Sequence, residues 1–148
     1  MIWKNRKMKK FSIFVFLIFL LHGCDLSNPG GVLLSNQLPD SVMEYIDEKG
    51  ILENEYIIAY YDVTLSLDNS ESAILTNKNV IYYHESGRMK YKIPLNQIKS
   101  ITHADCILAL CIFITTNPNQ GPVMKIEIAV LNGGDLFLDL LKEEVKKY

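Results

Sequence analysis

His103, Asp105 and Cys106 lie within four residues of one another, with His84 and Glu85 upstream and Cys111 downstream. An imidazole, a carboxylate and a thiolate are all metal ligands, and a thiol beside a histidine can serve as a nucleophile. Their spacing argues against both roles. Zinc sites draw on ligand pairs at short, regular separations, whereas these residues are irregularly spaced and no second pair follows. Pairing Cys106 with His84 or with His103 as a nucleophile fares no better. The chain has no Gly-rich phosphate loop, no nucleophile elbow and no carboxylate pair at catalytic spacing. We therefore expect no metal, no cofactor and no catalysis. Cys106 and Cys111 also invite a disulfide. Five residues along one extended strand span roughly 16 Å, against the ~6 Å Cα separation a bridge allows. Unless Cys106 lies in a turn, the two read as buried free thiols.

Lys78, Arg88, Lys90 and Lys92 are the next residues with chemical potential, because four cations close together form a patch for an anionic ligand. A solvated strand face, whose lysines discourage unwanted strand pairing, is the plainer reading. The overall charge limits the partners. Five of the 15 basic residues, and none of the 17 acidic ones, precede Cys24. Beyond that point the chain is strongly acidic, which excludes the basic footprint needed for nucleic acid and simple electrostatic adhesion to anionic lipid.

Residues 1–23 carry the clearest signal. Lys4, Arg6, Lys7, Lys9 and Lys10 form a basic n-region, and residues 11–21, FSIFVFLIFLL, are apolar except for Ser12. A spanning helix needs roughly 20 apolar residues, so this shorter run reads as the core of a signal peptide. It ends in Leu21-His22-Gly23-Cys24, which resembles a bacterial lipobox. Gly23 supplies the small residue before the scissile bond and Cys24 the thiol that receives diacylglycerol. His22 stands where the pattern usually has a small or β-branched residue. The alternatives are an ordinary secretory leader that happens to contain a cysteine, or a short uncleaved anchor. The resemblance implies cleavage between Gly23 and Cys24 and an acyl anchor on the extracytoplasmic face of the cell membrane. Asp25 resembles an inner-membrane retention signal if the source is Gram-negative.

Elements that would carry a domain follow. Residues 24–38 contain Asn28-Pro29-Gly30-Gly31 and lack clear periodicity, so they read as a tether, with Val32-Leu33-Leu34 able to pack back on the domain. Residues 39–148 read as the domain itself. Ser41 and Glu44 have capping-box spacing for a helix over 41–49. Apolar runs and alternations predict strands over 56–67, 73–76, 80–84, 89–93, 95–101, 107–115 and 124–130, with residues 107–115 the most buried. Pro94 should end a strand or sit at an edge. Asp135 is placed to cap a second helix, over 135–147, with Phe137, Leu140, Leu141 and Val145 near one stripe.

Residues 52–148 resemble the bacterial pleckstrin-homology-like domains. Those carry a turn of the form T-N-K/R-x-V/I-x-x-Y, here Thr76-Asn77-Lys78-Asn79-Val80-Ile81-Tyr82-Tyr83. They also carry an I-P-L-x-x-I-x-x-I run, here Ile93-Pro94-Leu95-Asn96-Gln97-Ile98-Lys99-Ser100-Ile101. The resemblance implies a mainly β (α+β) fold: a seven-stranded, partly open barrel of two orthogonal antiparallel sheets, capped by the C-terminal helix. Phosphoinositide binding in eukaryotic relatives resembles a basic pair on the first strand and the loop after it. Here that loop, residues 66–72, has two acids and no base, so a phosphoinositide ligand is not expected. The expected function is a lipid-anchored interaction module that binds an envelope protein or peptide in a groove between the C-terminal helix and an open sheet edge. The alternative is a lipid or small molecule held in the barrel interior.

Overall fold

The computed structural model describes residues 30–64, 66–86 and 89–148. Gly23, Cys24, Asp25 and the rest of the leader lie outside the described residues, as does Arg88. The elements are β1 (Val32–Leu34), α1 (Asp40–Glu48), β2 (Ile57–Asp62), β3 (Glu71–Thr76), β4 (Asn79–His84), β5 (Met89–Pro94), β6 (Ser100–Cys106), β7 (Ala109–Thr115), β8 (Met124–Ala129) and α2 (Gly134–Val145). Short 3-10 turns occupy Ser35–Gln37 and Leu95–Gln97.

Strands β1 to β5 form one antiparallel sheet in chain order, and β6 to β8 form a second. The body is thus mainly β with a C-terminal helix, as expected, but the two sheets do not close into a barrel. The reason lies at Pro94, which has no N–H to continue a ladder. Residues 95–97, expected to begin a strand, instead make a 3-10 turn. There the Leu95 N–H donates to the Lys78 carbonyl at 2.9 Å, and Leu95 and Ile98 drop into the core. The next strand starts only at Ser100, already in the second sheet. An eighth strand is added at the other end, where Val32–Leu34 pairs with β2 in the register Val32↔Tyr61.

Strand period explains why β2 and β3 are so apolar. Successive side chains alternate between faces, and the first sheet has a core on each. Ala59, Tyr61, Ala73, Leu75 and Val80 meet Ile112, Ile114, Ile126 and Ile128 of the second sheet and Phe137, Leu138 and Leu141 of α2. On the opposite face Ile57, Tyr60, Ile74 and Ile81 meet Val42 and Ile46 of α1, with Leu33 and Ile51 at the margins. The Tyr61 hydroxyl accepts the Ala129 N–H at 3.1 Å and so joins the two sheets.

Both helices start differently from expectation. Pro39 occupies the N-cap of α1 and no side chain caps it, so Ser41 and Glu44 do not form a capping box. For α2 the N-cap is Gly133, at φ +83°, and Asp135 lies inside the first turn, where its charge still favours the helix dipole. The two glycines here have separate tasks. Gly133 takes a left-handed conformation that costs other residues energy, and Gly134 lets the helix settle on β7, since a Cβ there would lie 3.1 Å from Leu110.

The run 107–115 is not the most buried strand. Ile107 and Leu108 form an exposed two-residue turn between β6 and β7, and β2 and β3 are the deepest strands. The turn also corrects the reading of the cysteines as free thiols. Because the chain reverses at 107–108, Ala104 pairs with Cys111 and Cys106 with Ala109. The cysteine Cα atoms come to 5.8 Å and the side chains form a disulfide. The estimate of 16 Å assumed one continuous strand. A cross-link closing so short a loop stabilises by about 2 kcal/mol on chain-entropy grounds. The Cys106→Ser/Cys111→Ser variant is therefore expected to lose about that much in urea denaturation, and a reductant should reproduce the loss in the parent protein alone.

Candidate functional site

Disulfide formation removes Cys106 as a thiol nucleophile and as a thiolate ligand. His103 and Asp105 remain exposed along β6, while His84 ends β4, its Nε2 2.9 Å from the Ser86 hydroxyl and 4.0 Å from a Glu71 carboxylate oxygen. Among the described residues no group of three or more His, Cys, Asp and Glu side chains is arranged to hold a metal ion.

The lysines of the expected patch have nearby partners. Lys90 and Lys92 alternate onto the α1 side of β5, opposite Tyr83 and Ile81. There they meet the segment between α1 and β2. Lys92 donates to Glu55 at 2.6 Å and lies 3.6 Å from Glu53. Lys90 lies 3.8 Å from Glu53 and donates to the Gly50 carbonyl at 3.1 Å. Lys78 donates to the Asn54 carbonyl at 2.7 Å. Arg88 is outside the described residues.

Glu55 is the centre of this cluster and carries no sequence motif. Its carboxylate is fully covered and accepts from Lys92, from the Thr76 hydroxyl at 2.5 Å and from the Asn79 amide at 2.7 Å. Burial alone would push its pKa up, but the hydrogen bonds from Lys92, Thr76 and Asn79 outweigh burial and hold it below the usual carboxylate range. The same cluster organises the Thr76-Asn77-Lys78-Asn79 turn. Thr76 also accepts the N–H groups of Lys78 and Asn79, and the Asn77 side chain accepts the Tyr56 N–H at 3.0 Å. One signal was available: lysines at 90 and 92 share a face, and two glutamates at 53 and 55 precede a strand apolar on both sides. Only the packing brings them together.

A second polar clasp fixes α1 to the sheet. Tyr45 and Lys49 donate to opposite oxygens of Glu85, at 2.7 and 2.8 Å, and the Tyr45 ring meets Tyr83 edge-on with centroids 6.2 Å apart. Burial and the bond to Glu85 push the Tyr45 pKa far up, so the hydroxyl stays a donor at any physiological pH.

The loop between β2 and β3 is self-contained. Asp62 accepts the N–H groups of Thr64 and Asn69 at 2.8 and 2.7 Å, which ends β2 at residue 62 rather than 67. Asp68 accepts the hydroxyls of Ser66 and Ser70. Asp62 is buried, Asp68 faces outward and the loop carries no cation, a poor setting for phosphate.

Side chains of the first core occupy the space between the sheets, as in most small barrels. A shallow cleft of about 310 Å³ opens instead on the outer side, lined by Leu38, Met43, Leu52, Glu55, Tyr56 and Ile57 among others. Two sheets that do not close also leave strand edges. Among the described residues β6 pairs with β7 alone, and Ser100, Thr102, His103, Ala104 and Asp105 are exposed.

The pH response of the Glu55 cluster follows from its sign. A carboxyl whose pKa is lowered on folding adds stability that is complete above the unfolded value, about 4.3, and is lost as pH falls through the folded value. Glu55→Gln should cost about 1–3 kcal/mol in urea denaturation at pH 7, and the deficit should shrink at pH 3. An equal deficit at both pH values would mean that the carboxylate's charge is not what matters.

No family model matches the chain, and no curated protein matches it. One solved structure does: a DUF1696 family protein with a pleckstrin-homology domain from Shewanella loihica PV-4. It is 14% identical, with a TM-score of 0.54, and the alignment covers 70% of this chain and 96% of that one. At that identity the likeness concerns fold alone, and it shows that this chain is built on a pleckstrin-homology-like fold.

Proposed function

We propose that this protein is a lipoprotein, anchored through Cys24 on the extracytoplasmic face of the cell membrane, whose pleckstrin-homology-like domain binds an extended segment of an envelope protein. It performs no catalysis in this reading. The leader carries the localisation: a basic n-region, an apolar run and Leu21-His22-Gly23-Cys24 stand in register. Among the described residues no helix is long and apolar enough to cross a membrane. Two or three acyl chains on one cysteine would hold the protein stably, at about 0.8 kcal/mol per buried CH₂.

The observation that carries the binding role is the unpaired edge of β6. Backbone N–H and C=O groups along such an edge accept an added strand, which supplies affinity through the main chain and specificity through alternate side chains. Natural edges are usually blunted by lysine, proline or a bulge. Between Ser100 and Cys106 this one contains no lysine and no proline, and its pairing with β7 runs without a register shift.

Intact-mass analysis tests the anchor. Protein expressed in a bacterium should have a mature mass beginning at Cys24 plus diacylglycerol, and Cys24→Ala should lose it. Unmodified full-length chain in both samples would sink this part of the reading. For the edge, a photo-cross-linking residue at Thr102 should give a discrete envelope-protein adduct that the same residue at Asn119 does not. Identical patterns from the two positions, or no adduct, would count against strand addition.

A further inference from the structure

Two neighbouring turns expose aliphatic side chains at one rim of the domain. Ile107 and Leu108, between β6 and β7, are 95% and 78% exposed; Val130 and Leu131, between β8 and α2, are 58% and 98% exposed. The Val130 N–H donates to the Leu108 carbonyl at 2.9 Å, so the two turns make one surface. Leu108 and Leu131 both adopt left-handed backbone, at φ +61° and +73°. Glycine or asparagine takes that conformation at less cost and without exposing an apolar side chain. These two leucines, with Ile107 and Val130 beside them, put four aliphatic side chains in water. The Cys106–Cys111 disulfide brackets the first turn and holds it in shape. The opposite end of the β7–β8 hairpin is polar, Asn117-Pro118-Asn119-Gln120.

The described chain enters at this same rim. The Val32 N–H donates to the carbonyl of Asn132, the residue after Leu131, at 2.8 Å. A Cβ on Gly31 would lie 3.3 Å from that oxygen. Only residues 25–29 separate Cys24 from Gly30. Fully extended, that link reaches about 20 Å.

We infer that the rim formed by Ile107, Leu108, Val130 and Leu131 docks into the bilayer that carries the protein's own lipid anchor. The inference rests on the lipoprotein reading of Cys24, because the short link is what brings the rim to the membrane. Insertion is apolar rather than electrostatic. Residues 103–110 and 128–136 contain no lysine or arginine, and Asp105 and Asp135 flank the turns. A zwitterionic surface suffices, and salt should have little effect. Docking would fix the orientation of the domain. The polar hairpin end then points away from the membrane, and the β6 edge stands upright from it, accessible to a partner.

Tryptophan fluorescence tests this directly. The single tryptophan, Trp3, lies in the leader, so the matured protein has none. Ile107→Trp and Asn119→Trp, both at exposed positions, place one reporter at each end of the hairpin. Each full-length variant is expressed, its lipidation is checked by intact mass, and it is reconstituted into phosphatidylethanolamine/phosphatidylcholine vesicles with or without brominated acyl chains. Ile107→Trp emission should fall at least twofold in brominated vesicles and keep that fall at high salt, while Asn119→Trp stays unchanged. Lipidated protein with Ile107→Trp unquenched, or with both variants quenched equally, overturns the docking and leaves the anchor standing. A blue-shifted but unquenched Ile107→Trp would mean that protein, not lipid, covers the rim, and also overturns it. A mass without diacylglycerol overturns the anchor, and the docking with it.

Discussion

Ile74 and Leu75 are neighbours in β3, neither has any exposed surface, and they point to opposite sides of the same sheet. An antiparallel sheet can stand with one wet face, but this one cannot, because its alternation places aliphatic side chains on both. Everything else in the fold covers one face or the other. The second sheet and α2 take one side; α1 and the segment that follows it take the other. Strand β1 extends the sheet and lends Leu33 to the α1 side, while Val32 packs toward the α2 side.

Covering the second face sets the polar chemistry. The segment from Gly50 to Tyr56 must return the chain from α1 to the start of β2 across the end of the sheet, and its backbone and carboxylates there need partners. Lys78, Lys90 and Lys92 supply them, and Glu55 fills the centre, accepting from Lys92, Thr76 and Asn79. The lysines are therefore part of what holds the α1 layer in place. On the other flank Tyr45, Lys49 and Glu85 perform the same task.

The strands near 73–76, 80–84 and 89–93 were readable because turn residues separate them cleanly and alternation follows. Each proved only slightly longer than expected, reaching Glu71, Asn79 and Pro94. The errors came where one local pattern had two solutions. Residues 95–101 are as apolar as a strand, yet Pro94 ends the ladder and Leu95 packs better in a turn. Residues 107–115 look like one buried run, yet Ile107 and Leu108 turn in water. Nothing local says so, since neither is glycine, asparagine or proline. That misreading also hid the disulfide, whose feasibility depends on where the chain reverses. Glu55 was invisible for a different reason: its partners lie 21 to 37 residues away.

By itself the sequence determined the mainly β character, the C-terminal helix and the turn at Asn77-Lys78, because period and turn chemistry are local properties. It also contains Leu21-His22-Gly23-Cys24, whose resemblance to a lipobox needs no fold to be read. Tertiary structure alone decided that the sheets stay separate, that Cys106 meets Cys111, and that Lys90 and Lys92 serve Glu53 and Glu55. It alone gathered four exposed aliphatic residues beside the point where the chain enters the domain. Each of these is a distance between segments remote in sequence or across a reversal, and such distances exist only once both faces of the first sheet have been covered.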